Sequence, residues 1–246
     1  MRMTVSVTGL KEAQEKMRGK FSARAVASVA AATLNRTVAD LAKGWGEQLK
    51  TRLDRPTSAT RNAPRFKRAQ VNDLTAEVYI RDQGGGTPPA VWLAPEEFGG
   101  ARRLKKFEQA LQNQGALPPG HYVVPGPAAK LDAFGNVARS QIVQVIAQLG
   151  AKLSPGYQRV ISPSAAKRAA RATSLGRAYF AMPPSVKGLP GGIYERRQKK
   201  PVAVFYFVRS VSYRPRTELL GYAKRHAAAS FARGFEKSWA EHWGSR

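Results

Sequence analysis

From Leu10 to about Leu53 the apolar residues recur mostly at steps of three and four: Leu10, Ala13, Met17 and Phe21, then Val26, Val29, Leu34, Val38, Leu41, Trp45, Leu49 and Leu53. That is the period of a helix buried along one face. Gly19 predicts a break near residue 20, and Gly44 with Gly46 a kink near residue 45. Ahead of this helix, Thr4 to Thr8 alternates as a short strand does, and Gly9 ends it. Arg55-Pro56-Thr57-Ser58 stops the helix.

Leu74 to Arg81 alternates again and predicts a strand. Gly84 to Pro89 reads as a loop, and Val91 to Leu93 as a further short strand. Residues 95–135 are rich in Gly and Pro, with a basic helix embedded from Leu104 to Asn113. Asn136 to Leu149 predicts another helix with a stripe of Val137, Ile142, Val145, Ile146 and Leu149. Lys152 to Gly176 is polar and basic and reads as an exposed excursion.

Beyond residue 177 the period changes to that of strands. Ala178 to Met182, Gly192 to Arg196 and Val202 to Ser210 predict three consecutive antiparallel strands. The third is apolar on both faces, which places it centrally in its sheet. A terminal helix then runs from about Glu218 to Trp243, with Leu220, Ala223, Ala227, Phe231, Phe235, Trp239 and Trp243 as its stripe.

These elements predict an α+β fold: a long N-terminal helix and a C-terminal helix packed on a mainly antiparallel sheet, with a Gly/Pro-rich inserted middle region. The expected segments are 1–94 (strand, long helix and part of the sheet), 95–176 (loop-rich helical insertion) and 177–246 (strands and terminal helix completing the core domain).

Composition sharpens this picture at one point. The chain has 246 residues, ample for a buried core, and 43% of them are hydrophobic. Lys and Arg total 41 against 16 Asp and Glu, a formal charge of 41 − 16 = +25. Such an excess seeks an anionic partner. No apolar run approaches the length of a membrane span, so no membrane contact is expected. Met1 to Gly9 does not read as a secretory signal. Assembly in a cytoplasm is therefore the expectation.

Little in the sequence suggests catalysis. There is no cysteine, which excludes disulfides, thiol chemistry and zinc–thiolate sites. His121, His226 and His242 lack neighbours at metal-ligand spacing. Glu96-Glu97 is the one adjacent acidic pair, and Arg102, Arg103, Lys105 and Lys106 are its expected partners. Asp132 ahead of Gly135-Asn136 suggests a turn into a helix cap. Gly84 to Gly86 lacks the Lys and Ser/Thr of a phosphate loop and reads as a hairpin tip. No enzyme activity, cofactor or metal is expected.

The positive charge falls in clusters: Arg61/Arg65/Lys67/Arg68, Arg102/Arg103/Lys105/Lys106 and Lys167/Arg168/Arg171. A fourth, Arg196/Arg197/Lys199/Lys200, sits in an expected hairpin turn. These are the candidate contacts for an anionic partner, with Trp243 as a candidate interface anchor and Trp239 a candidate for the core. No helix-turn-helix, zinc finger or RNA-recognition signature accompanies them. Non-specific nucleic-acid binding through dispersed basic loops is the alternative reading.

Two stretches resemble a known family. Val7-Thr8-Gly9-Leu10-Lys11-Glu12-Ala13 leads into an Ala-rich helix containing Ala31-Ala32-Thr33-Leu34-Asn35-Arg36-Thr37, followed by Arg65-Phe66-Lys67-Arg68-Ala69. This is similar to the opening of phage minor tail proteins of the Z type and related tail-completion proteins. Glu195-Arg196-Arg197, the strand Val202 to Val208, Tyr213 and the terminal helix resemble their sheet-then-helix ending. The resemblance covers about residues 5–80 and 190–243, while 95–176 departs from the smaller members. It implies a virion protein at the head-proximal end of a tail or in a neck, acting in tail completion and head–tail joining. Its implied partners are copies of itself in a ring, and neighbouring tail-tube, neck or connector proteins; packaged DNA is a further candidate for non-specific contact. The family has no catalytic residues to carry over.

Overall fold

A computed structural model of the protein describes residues 1–6, 22–83, 87–150, 179–184, 190–198 and 200–244. In chain order the first elements are β1 (Arg2–Ser6), α1 (Ala23–Arg52), α2 (Ser58–Arg61), β2 (Pro64–Lys67), β3 (Thr75–Ile80) and α3 (Pro89–Phe98). Then come β4 (Gly100–Ala101), α4 (Lys106–Asn113), β5 (Tyr122–Pro125), α5 (Arg139–Gln148) and β6 (Tyr179–Met182). The last are β7 (Gly192–Glu195), β8 (Val202–Val208), β9 (Ser212–Tyr213) and α6 (Leu219–Trp243). The architecture is α+β, with long N- and C-terminal helices and antiparallel sheets.

The chain divides into two compact units. The first comprises Met1–Gly99 and Arg214–Arg246, and the second Gly100–Tyr213. The middle region is thus an insertion in sequence, but it extends well past the expected end at 176. The three strands expected to complete the first core belong to the insertion, because β8 and β7 pair into a sheet ordered β5-β8-β7-β6. Strand period fixes which face is buried, and says nothing about which distant strand is the partner.

In the first unit, Ser22 opens α1 by accepting a hydrogen bond from the Ala25 N–H at 3.2 Å. The helix ends before Leu53, where the backbone turns extended, and Arg55 takes a positive φ of 43° ahead of Pro56. Through Gly44 and Gly46, α1 continues as one helix. The break expected near residue 20 lies outside the described residues. Leu34, Val38, Leu41, Trp45 and Leu49 are all but fully buried. Burying each of the three leucines contributes roughly 1.5–3 kcal/mol.

They pack on an antiparallel sheet ordered β1-β3-β2. The first strand begins earlier than expected, at Arg2. Alternation on β3 sends Ala76, Val78 and Ile80 to the core. Val91 to Leu93, expected as a strand, is the first part of helix α3. A run of three apolar residues cannot distinguish the two, and Pro89 at the first helical turn favours the helix.

Helix α6 packs antiparallel along α1: Tyr222 meets Gly44, Ser230 meets Asp40, Gly234 meets Thr33 and Arg36, and Ser238 meets Arg36. The buried positions are Leu219, Ala223, Ser230, Gly234 and Ser238. This corrects the expected stripe. Each step of four residues rotates about 40° around a helix of 3.6 residues per turn. By Phe235 the stripe has left the buried face, and that ring is 41% exposed.

In the second unit, β8 is central in its sheet, as its two-faced apolar pattern predicts. Its Val204 and Phe205 pack with Phe107 and Leu111 of α4 and Val145 and Ile146 of α5. The pair β4–β9 joins the two ends of this unit, with Gly100 opposite Tyr213. Asp132 holds a turn, its Oδ1 accepting from the N–H groups of Phe134 and Asn136, both at 2.9 Å. The helix begins three residues beyond Asn136, at Arg139, so neither residue is its cap.

Candidate functional site

On the first unit, α1 and the α2–β2 segment enclose an open groove of about 810 Å³. Lys43, Glu47 and Lys50 line one wall, at spacings that place them on one face of α1. Arg61, Arg65 and Phe66 line the other. Ala39, Ala42 and Pro64 supply apolar surface between the charges. Glu47 and Lys50 pair at 3.5 Å, each more than half exposed, so their attraction is weak.

Arg65 is held in place by its own neighbours. Its Nη1 donates to the carbonyls of Asn62 at 2.6 Å and Pro64 at 2.8 Å. Those bonds occupy one nitrogen and leave the rest of the guanidinium fork for an acceptor. The Arg68 guanidinium lies 6.0 Å from the centre of the Phe66 ring. Strand β2 is an edge of its sheet, and Arg65, Lys67 and Arg68 are exposed there. Charged side chains on an edge strand discourage indiscriminate strand pairing.

The structure therefore gathers Arg61, Arg65, Lys67 and Arg68 on one small region. It adds Lys43 and Lys50, which lie on α1 and were not among the residues singled out from the sequence. Their spacing at i and i+7 beside a basic segment was the available signal.

The second cluster is corrected in part. Arg102 is 10% exposed and forms a bidentate pair with the buried Glu108, at 2.6 and 2.5 Å. Glu108 also accepts from the N–H groups of Lys105 at 2.6 Å and Val123 at 2.9 Å. Burial alone would push the Glu108 carboxyl up, but Arg102 and these two N–H groups outweigh it and hold it below the ordinary carboxylate range. Glu108 in turn raises the Arg102 guanidinium further. Arg102 thus locks the start of α4 to β5, while Arg103, Lys105 and Lys106 are exposed. Lys167, Arg168 and Arg171 lie outside the described residues.

In the fourth cluster Arg196 and Arg197 are exposed, and Arg197 pairs with Glu195 at 2.8 Å. Trp243 is half-buried and packs against Trp239 with ring centres 4.2 Å apart. Trp239 is itself half-buried and packs on the exposed Phe235 ring.

Glu96 and Glu97 do not pair with the basic run that follows them. Glu96 takes Arg216 in a bidentate pair at 2.7 and 2.8 Å. Glu97 accepts from the Thr217 hydroxyl and from the N–H groups of Leu219 and Leu220, at 2.7, 2.7 and 2.9 Å. It therefore caps α6 from 122 residues away. The acidic pair is a structural clasp between α3 and α6.

The histidines are dispersed. His121 contacts the Pro119 carbonyl, His226 packs on Tyr222, and His242 packs on Trp243. Among the described residues no three His, Asp or Glu side chains converge on a point where a metal could sit. None of the described helices is long and apolar enough to cross a membrane.

Two residues of the Asn35-Arg36 motif are placed by the fold. The Asn35 side chain exchanges hydrogen bonds with the backbone of Ala69. Arg36 donates to Ser238 at 2.5 Å and pairs with Glu241 on α6. Comparison of the chain with family models, with curated proteins and with solved structures gives no match.

Proposed function

We propose that this chain is a structural protein of a bacteriophage particle, in the tail or neck, that acts in tail completion and head–tail joining. It works without catalysis, by ring assembly and by contacts with neighbouring proteins. The observation that carries this reading is the role of Asn35 and Arg36. The resemblance rests on separate stretches of sequence: the Ala-rich helix, the basic segment and the terminal helix. Asn35 ties the helix to Ala69 at the end of the basic segment, and Arg36 ties it to Ser238 and Glu241 of the terminal helix. The motif residues thus have a common physical purpose, to hold these stretches together as one module.

The charge distribution supports an assembly role. At least ten of the 16 acids are engaged in ion pairs within the chain, which leaves a large excess of basic side chains without an acidic counterpart. Exposed charges of one sign steer encounters and fix register with a partner of the other sign.

Disrupting the gene in the producing phage tests the proposal. The expected result is filled heads and tails that fail to join, restored by supplying the protein in trans. Joined, infectious particles made without the protein would contradict it.

A further inference from the structure

We infer that the groove between α1 and the α2–β2 segment is a docking site for an extended, acidic segment of a different protein. This rests on the reading of the chain as a part that works by binding neighbours.

The groove carries Lys43, Lys50, Arg61 and Arg65 against Glu47, a local balance of 4 − 1 = +3. Lys43 and Arg61 form no close ion pair among the described residues; the acid that feels Lys43 is Asp40, which pairs with Arg233. Arg65 is pre-positioned by two backbone carbonyls, so it loses little freedom on accepting a carboxylate.

The occupant is not a second copy of this chain. A copy carries the same +25, so two copies repel one another on approach. The carboxylates must come from elsewhere.

Nor does the groove suit a nucleic-acid backbone. Duplex DNA carries a charge about every 1.7 Å and would place phosphates beside the exposed Glu47 carboxylate. A polypeptide can set its carboxylates opposite Lys43, Arg61 and Arg65 and present a neutral or donor group to Glu47. It also has side chains to lay on the apolar surface of Ala42, Pro64 and Phe66. Polar rims around partly apolar floors are the usual anatomy of protein contacts.

Fluorescence anisotropy on the full chain tests this with two probes: a labelled peptide of alternating Glu and Ala, and a labelled short DNA duplex. The variant is Lys43→Gln with Arg61→Gln, which keeps the first two methylenes of two exposed side chains and removes their charge. The control is Lys130→Gln with Arg139→Gln, exposed residues of the second unit, which lowers net charge equally. The expected result is a loss of roughly tenfold in peptide affinity for the groove variant, as two exposed charge pairs give near the upper end of their range. The control stays within twofold of wild type by the same reasoning, and duplex binding falls equally in both variants. Equal peptide affinity in variant and wild type, equal losses in variant and control, or a groove-specific loss for the duplex would each overturn the assignment. Such a failure would leave the head–tail joining result untouched, so the two proposals fail separately.

Discussion

Asn35 and Ala69 are 34 residues apart and exchange two hydrogen bonds: Asn35 Nδ2 donates to the Ala69 carbonyl at 3.1 Å, and Asn35 Oδ1 accepts from the Ala69 N–H at 2.8 Å. The side-chain amide does for Ala69 what a neighbouring strand would do. It satisfies a backbone donor and acceptor just beyond the end of β2, in a partly buried place where water serves poorly. Asn35→Ala and the size-matched Asn35→Leu are both expected to destabilise the protein by about 1–3 kcal/mol, because each strands the Ala69 N–H. Denaturant titration measures this. A neutral Asn35→Leu would show that the contact is incidental.

At Gly234 the backbone of α1 lies close against α6. A Cβ there would stand 3.2 Å from the Thr33 carbonyl oxygen and 3.3 Å from the Arg36 Cβ. Gly234→Val adds two further methyl groups against a helix backbone that cannot step aside. The expected cost is about 1–3 kcal/mol, read as a lower thermal midpoint. Gly234→Ala is milder, since the gain in helix propensity of about 1 kcal/mol offsets part of the crowding.

Glu108 gives the protein a defined acid sensitivity. Its folded-state pKa is depressed, so its stabilising effect is complete above the ordinary glutamate value of about 4.3 and is lost as pH falls through the lower folded-state value. Glu108→Gln leaves the nearly buried Arg102 without its counter-charge, at a cost of about 3–5 kcal/mol at neutral pH. Melting curves across pH are expected to show a wide gap between wild type and variant at pH 7. The gap narrows as the wild-type carboxyl takes up its proton. A gap independent of pH would show that the pair is not what holds α4 to β5.

Removing the cap on α6 has a separate signature. Glu97→Ala leaves two N–H groups of the first turn and the Thr217 hydroxyl without their shared acceptor. The expected cost is about 1–2 kcal/mol. Amide hydrogen exchange should show faster exchange confined to the first turn of α6.

Much of this architecture was legible in the sequence, and the limits have physical causes. Period alone located α1, β3, β8 and α6, because each buries one face or both. It failed wherever the decisive partner is distant. Glu97 caps a helix 122 residues on, and no local pattern announces that. The terminal stripe looked regular at four-residue steps, yet helical drift carried Phe235 out to solvent while Ser230, Gly234 and Ser238 turned inward. Small residues permit close helix packing and leave no trace in a hydrophobic pattern. The candidate site was half legible: Arg61 and Arg65 stood out as a charge run, whereas Lys43 and Lys50 joined them only once α1 was set beside β2. Arg102 looked like its neighbours in sequence and differs from them by one buried carboxylate.

Quantitative mass spectrometry of purified phage particles decides whether the chain is a structural part of them. The chain is expected in those particles, at a small fixed copy number matching one ring. Particles that contain every other structural protein and lack this chain would contradict it.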